Sequence, residues 1–170
     1  ELRSIMRHTA RALNVPVLQV ADRVHVMLQE VGSLKEQLER LNEAGKVDVD
    51  ELIAAAVLVG DVRVITHQLP NANRGLMVQL IDQIRKKTNP AAILFASSSG
   101  DSEVMLSAGM TRDLVERGLS AGKWIGEVAA VVDGRGGGKP DLAQAGGKNP
   151  AKIDEALQTA LDLIKSKHSG

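Results

Sequence analysis

The sequence predicts a mixed α/β (α+β) fold: a small mixed sheet with flanking helices, preceded by a helical hairpin or coiled-coil subdomain. Three observations predict it. Up to residue 45, apolar residues recur at steps of three and four, the helical period. From residue 46 onward, β-rich runs alternate with helix-period stretches. Near the end, the stretch Asp133–Pro150, DGRGGGKPDLAQAGGKNP, interrupts the series with glycines and prolines that no ordinary helix accepts. The expected organisation is therefore a helical subdomain over 1–45 and a globular α/β domain over 46–170.

Taken in order, Leu2, Ile5, Met6, Thr9 and Leu13 fall on one side of a helix over the first fourteen residues. Pro16 ends it and is tolerated in the first turn of the next. Val17, Val20, Val24, Met27, Val31, Leu34, Leu38 and Leu41 then follow a heptad seam, weakened at its centre by Gly32. Two arrangements satisfy that seam, a hairpin packed on the first helix or a coiled coil of two chains. Gly45 is the expected C-cap. Asp48, Asp50 and Glu51 sit where a helix dipole favours acids, ahead of a short helix through LIAAAVLV that Gly60 stops. Val62–His67 alternates as a strand ending near Pro70. Asn71–Thr88 reads as a helix with Leu76, Val78, Leu80, Ile81 and Ile84 inward.

Ala91–Ala96 is a continuous apolar strand, Ser97–Ser102 a turn and Glu103–Gly109 the returning strand of a hairpin. Short helices follow over Thr111–Arg117 and Ala121–Val132, and after Pro150 a last amphipathic helix stops near Lys167. The first two strands should be parallel, joined by a crossover. No internal repeat is present.

Composition narrows the function. The 170 residues carry equal numbers of basic and acidic side chains, so no global field draws the chain to nucleic acid. There is no cysteine, which removes disulfides and thiolate metal sites and fits a reducing, cytoplasmic setting. No apolar run reaches the length of a membrane span. The start, ELRSIMRH, lacks both a methionine and a signal-peptide core, which points to a piece of a longer protein. Phe95 and Trp124 are the only large rings. Any RNA contact should then use shape and phosphate rather than stacking on splayed bases.

Catalytic motifs fail on spacing. Gly134 to Gly138 is one residue short of a P-loop, and Pro140 follows Lys139 where a metal-binding hydroxyl belongs. Counting GxGxxG from Gly134 or Gly136 puts Lys139 or Asp141 at the third glycine. His8, His25, His67 and His168 have no metal-ligand spacing, and the serines of the predicted turn have no activating partner. The glycine stretch with its basic residues remains. Its backbone N–H groups could cradle an anion, or its glycines could simply let the last helix pack on the sheet.

GRGGGKPDLAQAGGKNP, following AGKWIGEVAAVVD, closely resembles the signature of the carboxyl-terminal region of alanyl-tRNA synthetases, shared more loosely with the DHH-associated domain of DHH phosphoesterases. The resemblance extends back through ANRGLMVQLIDQIRKK, AAILFASSSG and EVMLSAGMTRDLVERGLSAG to the heptad helix. It implies a helical and a globular subdomain. The implied role is to hold the elbow of tRNA(Ala) and to bridge aminoacylation and editing, with other domains of the same synthetase as partners. Some members dimerise through this region, which keeps a second copy as the rival partner.

The resemblance also places the chemistry, and with it ATP, magnesium and zinc, in other domains; no cofactor is expected in this chain. The phosphoesterase branch carries a histidine where Lys139 stands, and its Asp-His-His motif is absent here. Carried onto this sequence, Gly136, Gly137, Gly138, Gly146 and Gly147 permit close approach while Arg135, Lys139 and Lys148 meet phosphates. Lys123 contributes charge, and Gln144 either reads a ribose or base edge or ties the two turns together. The run Arg85–Lys86–Lys87 reads better as a solvated helix end.

Overall fold

The computed structural model describes residues 2–44, 47–100 and 102–168, with side chains over 3–37, 47–100 and 102–167. The chain divides into two compact units, Glu1–Asn42 and Glu43–Gly170.

The first unit is helical. α1 (Leu2–Ala12) ends at Asn14, which takes the left-handed conformation with φ 53°. A short 3-10 turn, Val17–Gln19, leads into α2 (Val20–Ala44). α1 contacts that turn, and Ala10 and Val20 are the buried residues of the unit among those described. Further along the seam, Val24, Met27, Val31 and Leu34 remain 41, 38, 47 and 62% exposed, and Val17 is 39% exposed. α1 is too short to cover a 25-residue helix, so a hairpin within one chain satisfies only the root of the seam. The side chains of Leu38 and Leu41, and Gly45 as a cap, lie outside the described residues.

The second unit is a six-stranded mixed sheet in the order β1-β2-β3-β4-β6-β5 with helices on both faces. α3 (Val49–Ala54) begins at Asp48, whose side chain accepts from the Asp50 amide at 2.8 Å. It is shorter than the periodicity predicts. Val57–Val59 is strand β1, which turns at Gly60 (φ 62°) and Asp61 and pairs antiparallel with β2 (Val62–Gln68). Alternating valines and a two-residue glycine turn favour a hairpin over continued helix.

α4 (Arg74–Lys87) crosses to β3 (Ala91–Ser99), which lies parallel to β2 as expected. The N-cap Asn73 Oδ1 accepts from the Leu76 amide at 2.9 Å. Asn73→Ala is expected to cost about 1 kcal/mol, seen as a lower urea midpoint at unchanged m. The inward positions of α4 are Met77, Leu80, Ile81 and Ile84, while Leu76 and Val78 are half-buried.

β3 runs through the predicted serine turn, since Ser97, Ser98 and Ser99 pair with Met105, Val104 and Glu103 of β4 (Glu103–Met110). The reversal begins at Gly100, whose φ of 67° suits glycine. α5 (Arg112–Glu116) and α6 (Ala121–Val131) follow, then β5 (Arg135–Gly138), β6 (Leu142–Gly147) and α7 (Ile153–His168).

The glycine stretch is thus a β-hairpin extending the sheet. Glycine carries no β-propensity signal, which is why the sequence shows a break there and not two strands. α6 and α7 cover one face over a core of Leu94, Leu106, Trp124, Val128 and Ile164. α3 and α4 cover the other over Ile65, Ile81, Ile93 and Phe95. Among the described residues no helix is long and apolar enough to cross a membrane.

Candidate nucleic-acid interface

Strand register decides what the glycine hairpin presents. Arg135 pairs with Gly146 and Gly137 with Gln144, so these four share a face. Through Gln144↔Ser107↔Phe95 it is the α4 face. Gly136, Gly138, Ala143 and Ala145 point the other way, toward α6.

The two sets of glycines exist for different reasons. On the α6 side the backbones are in close contact. A Cβ on Gly122 of α6 would lie 2.5 Å from the Gly138 carbonyl oxygen, and one on Gly136 would collide with Ala145 and lie 2.6 Å from the Gln144 oxygen. Gly138 and Gly147 are similarly enclosed, the first by Ala143 Cα at 2.7 Å and the second by the Val132 oxygen at 2.7 Å. Side chains at Gly122 or Gly147 would press α6 and its end off the hairpin, and at Gly136 or Gly138 they would collide with β6 itself. On the α4 side the situation reverses. A Cβ on Gly137 would meet nothing within 4 Å, and one on Gly146 only the Val104 oxygen at 3.8 Å. Among the described residues no contact requires glycine there.

This bare strip borders a cleft of about 750 Å³ lined by Arg74, Glu103, Met105, Asp133, Arg135 and Lys148. The base of the hairpin, where Arg135 and Lys148 leave the backbone, is clamped by hydrogen bonds. The Val132 carbonyl accepts from the Lys148 amide at 2.9 Å and the Asn149 amide at 3.2 Å, and Asn149 Nδ2 donates to Asp133 Oδ2 at 3.2 Å. Asp133 itself has φ 55°, ending α6 and turning the chain into β5. Arg74 comes from the first turn of α4. Among the described residues neither Arg74, Arg135 nor Lys148 has a carboxylate within 4.0 Å. Glu103 and Asp133 share the cleft and temper its charge, leaving one excess cation over a backbone floor.

The other predicted cations lie elsewhere. Lys139 is in the turn at the far end of the hairpin, about 13 Å along the strand from Arg135. Lys123 is in the first turn of α6, its amide donating to Ser120 Oγ, and it joins Trp124 and Lys167 around a separate small pocket. The Ala121 amide donates to the Pro140 carbonyl at 2.8 Å, so Lys123 belongs with the Lys139 end. Gln144 is half-buried, and among the described residues its amide makes no side-chain hydrogen bond; it does not tie the turns together. Arg85 pairs with Asp82 at 3.5 Å and Asp141 at 3.6 Å, and Lys87 with Asp50 at 2.8 Å. Arg74 carries no local signal in the sequence; the β2–α4 turn brings it into the lining of the cleft. Among the described residues no group of three His, Asp or Glu side chains could hold a metal ion.

Residues 61–166 match the family model described as the DHHA1 domain. The chain is 47% identical to an alanine–tRNA ligase of Rhodopirellula baltica over 98% of its own length and 18% of the relative's. It is 35% identical to an alanine–tRNA ligase of Bacillus velezensis over 96% of its length and 19% of the relative's. The chain therefore spans about a fifth of the length of the curated relatives it matches. Among solved structures, the C-Ala domain of Aquifex aeolicus alanyl-tRNA synthetase superposes with a TM-score of 0.59 at 31% identity, over 68% of this chain and 98% of that one. With its helical region, six-stranded mixed sheet and glycine hairpin, the chain belongs to the DHHA1 domain family, in the C-Ala form found in alanine–tRNA ligases.

Proposed function

We propose that this chain is a non-catalytic tRNA-binding domain that holds the elbow of tRNA(Ala) on the open face of β5 and β6 and the Glu103–Met105 end of β4. The observation that carries the reading is the pair Gly137 and Gly146, bare on a face where a side chain would fit, beside three cations that have no carboxylate within 4.0 Å among the described residues. Phosphate oxygens would meet Arg74, Arg135 and Lys148, and the peptide floor would follow the surface of a folded RNA. Both large rings are buried, Phe95 at 0% and Trp124 at 1% exposure, so recognition by stacking on aromatics is not open to this chain. A folded corner read by shape suits it. Its likeness to ligases that act on tRNA supports RNA as the partner. In the whole enzyme the domain would bridge the aminoacylation and editing sites, with ATP, magnesium and zinc held by other domains.

Arg135→Ala with Lys148→Ala is expected to weaken binding of tRNA(Ala) about tenfold and to flatten the plot of log affinity against log salt by about 2 units. Unchanged affinity and slope would remove the cleft from the interface. In a gel shift, a minihelix lacking the elbow should bind worse than intact tRNA.

A second reading has its own observation, the exposed row Val24, Met27, Val31 and Leu34 on α2. It fits a module that pairs two synthetase chains through the heptad seam. Sedimentation of the chain separates the two, because a monomer that retains tRNA at high concentration excludes pairing as its main role.

A further inference from the structure

α1 reads LRSIMRHTARA, with Arg3, Arg7 and Arg11 at i, i+4 and i+8 and no acidic residue. That spacing sets the three on one side of the helix, about 6 Å apart along its axis. All three are exposed, and among the described residues none has a carboxylate within 4.0 Å. Several exposed cations of the globular unit are paired, as in Lys87–Asp50 at 2.8 Å, Arg112–Glu116 at 3.0 Å, Arg117–Asp61 at 2.7 Å and Lys167–Glu127 at 2.9 Å, whereas the row on α1 shares its unpaired state among the described residues with the cleft cations Arg74, Arg135 and Lys148. The row runs beside a groove of about 530 Å³ lined by Arg7, Arg11, Asn14, Val15, Pro16 and Val17.

Like charges one turn apart oppose helix formation, and among the described residues no carboxylate within 4.0 Å offsets that small cost. The residues are arginines, whose planar forks match phosphate oxygens two at a time. A linear polyanion with regularly spaced charges complements such a row. We propose that Arg3, Arg7 and Arg11 form a second RNA contact, gripping successive phosphates of one strand along α1. This rests on the proposed tRNA-binding role and extends it to the helical unit.

An anionic membrane surface is the rival partner for a basic helix, but among its described side chains α1 offers only Ile5 and Met6 as exposed large apolar residues, and it has no aromatic ring. That is too little apolar surface for interfacial insertion.

The test is binding of tRNA(Ala) to the intact chain between about 50 and 300 mM salt, comparing wild type with Arg3→Gln/Arg7→Gln/Arg11→Gln and with the corresponding triple lysine variant. The glutamine variant should lose about 2 to 3 units of salt slope and bind tenfold or more weakly at the low-salt end. The lysine variant should keep the slope. Far-UV circular dichroism confirms that α1 is retained in both. An unchanged slope in the glutamine variant, with tRNA still bound, overturns the second contact while leaving the sheet face intact. Arginine-dependent binding to phosphatidylglycerol vesicles, with no arginine dependence toward RNA, overturns it in favour of a membrane. A wild-type chain that fails to bind tRNA at all removes both readings.

Discussion

Trp124→Ala is expected to destabilise the globular unit by about 3 to 5 kcal/mol. The indole is 1% exposed between α6, α7 and the sheet, and its Nε1–H donates to the Ala160 carbonyl of α7 at 3.0 Å. Truncation leaves a cavity the size of two rings among Leu106, Ile125 and Ile164, which strands and helices pinned at both ends cannot collapse to fill. Trp124→Phe keeps most of that volume but removes the donor, and should cost about 1 to 2 kcal/mol. Trp124 is the only tryptophan, so urea unfolding must be followed by far-UV circular dichroism and not by fluorescence. A loss below about 1 kcal/mol for the alanine variant would show that α6 is held by its glycine contacts to β5 alone. The position matters for the interface because α6 backs the hairpin whose other side is the bare face. Loosening α6 should therefore also weaken RNA binding, in proportion to the stability lost.

The sequence conveyed elements whose side chains announce them. β2, β3 and β4 were legible from β-branched and apolar runs, and α4, α6 and α7 from the spacing of residues such as Leu80, Ile84 and Ile164. β1 was hidden because Val57–Val59 continues an apolar run that also fits a helix turn. β5 and β6 were hidden because Gly136–Gly138 and Gly146–Gly147 show no alternation to read.

The site followed the same divide. Arg135 and Lys148 flank the glycines in sequence and line the same cleft, whereas Lys139, equally near in the chain, lies at the far end of the extended hairpin. Arg74 had no local signal. Its place in the cleft is a product of sheet order, which sets the start of α4 opposite the base of a hairpin some sixty residues later. Nor could sequence show that Arg85 and Lys87 are already engaged by Asp141 and Asp50.

Gly137→Val with Gly146→Val should separate the architectural glycines from those proposed to face RNA. Neither residue has a left-handed φ and neither Cβ meets an obstacle, so the double variant is expected to fold with stability unchanged or raised by up to about 1 kcal/mol. Its affinity for tRNA(Ala) should nevertheless fall about a hundredfold, because two branched side chains would hold the RNA surface away from the peptide floor and lengthen the reach of Arg135 and Lys148. Gly122→Val is the opposite case. Its side chain would press on the Gly138 backbone, at 2.5 Å from the oxygen and 3.1 Å from the carbonyl carbon, and neither atom can move without breaking the β5–β6 ladder. That variant should lose about 3 kcal/mol and bind RNA weakly only because it is unfolding. Thermal melts alongside gel shifts distinguish the two patterns. If the Gly137/Gly146 variant bound tRNA as tightly as wild type, the open face of β5 and β6 would not be the contact surface. The cations around the cleft would then have to act from its rim.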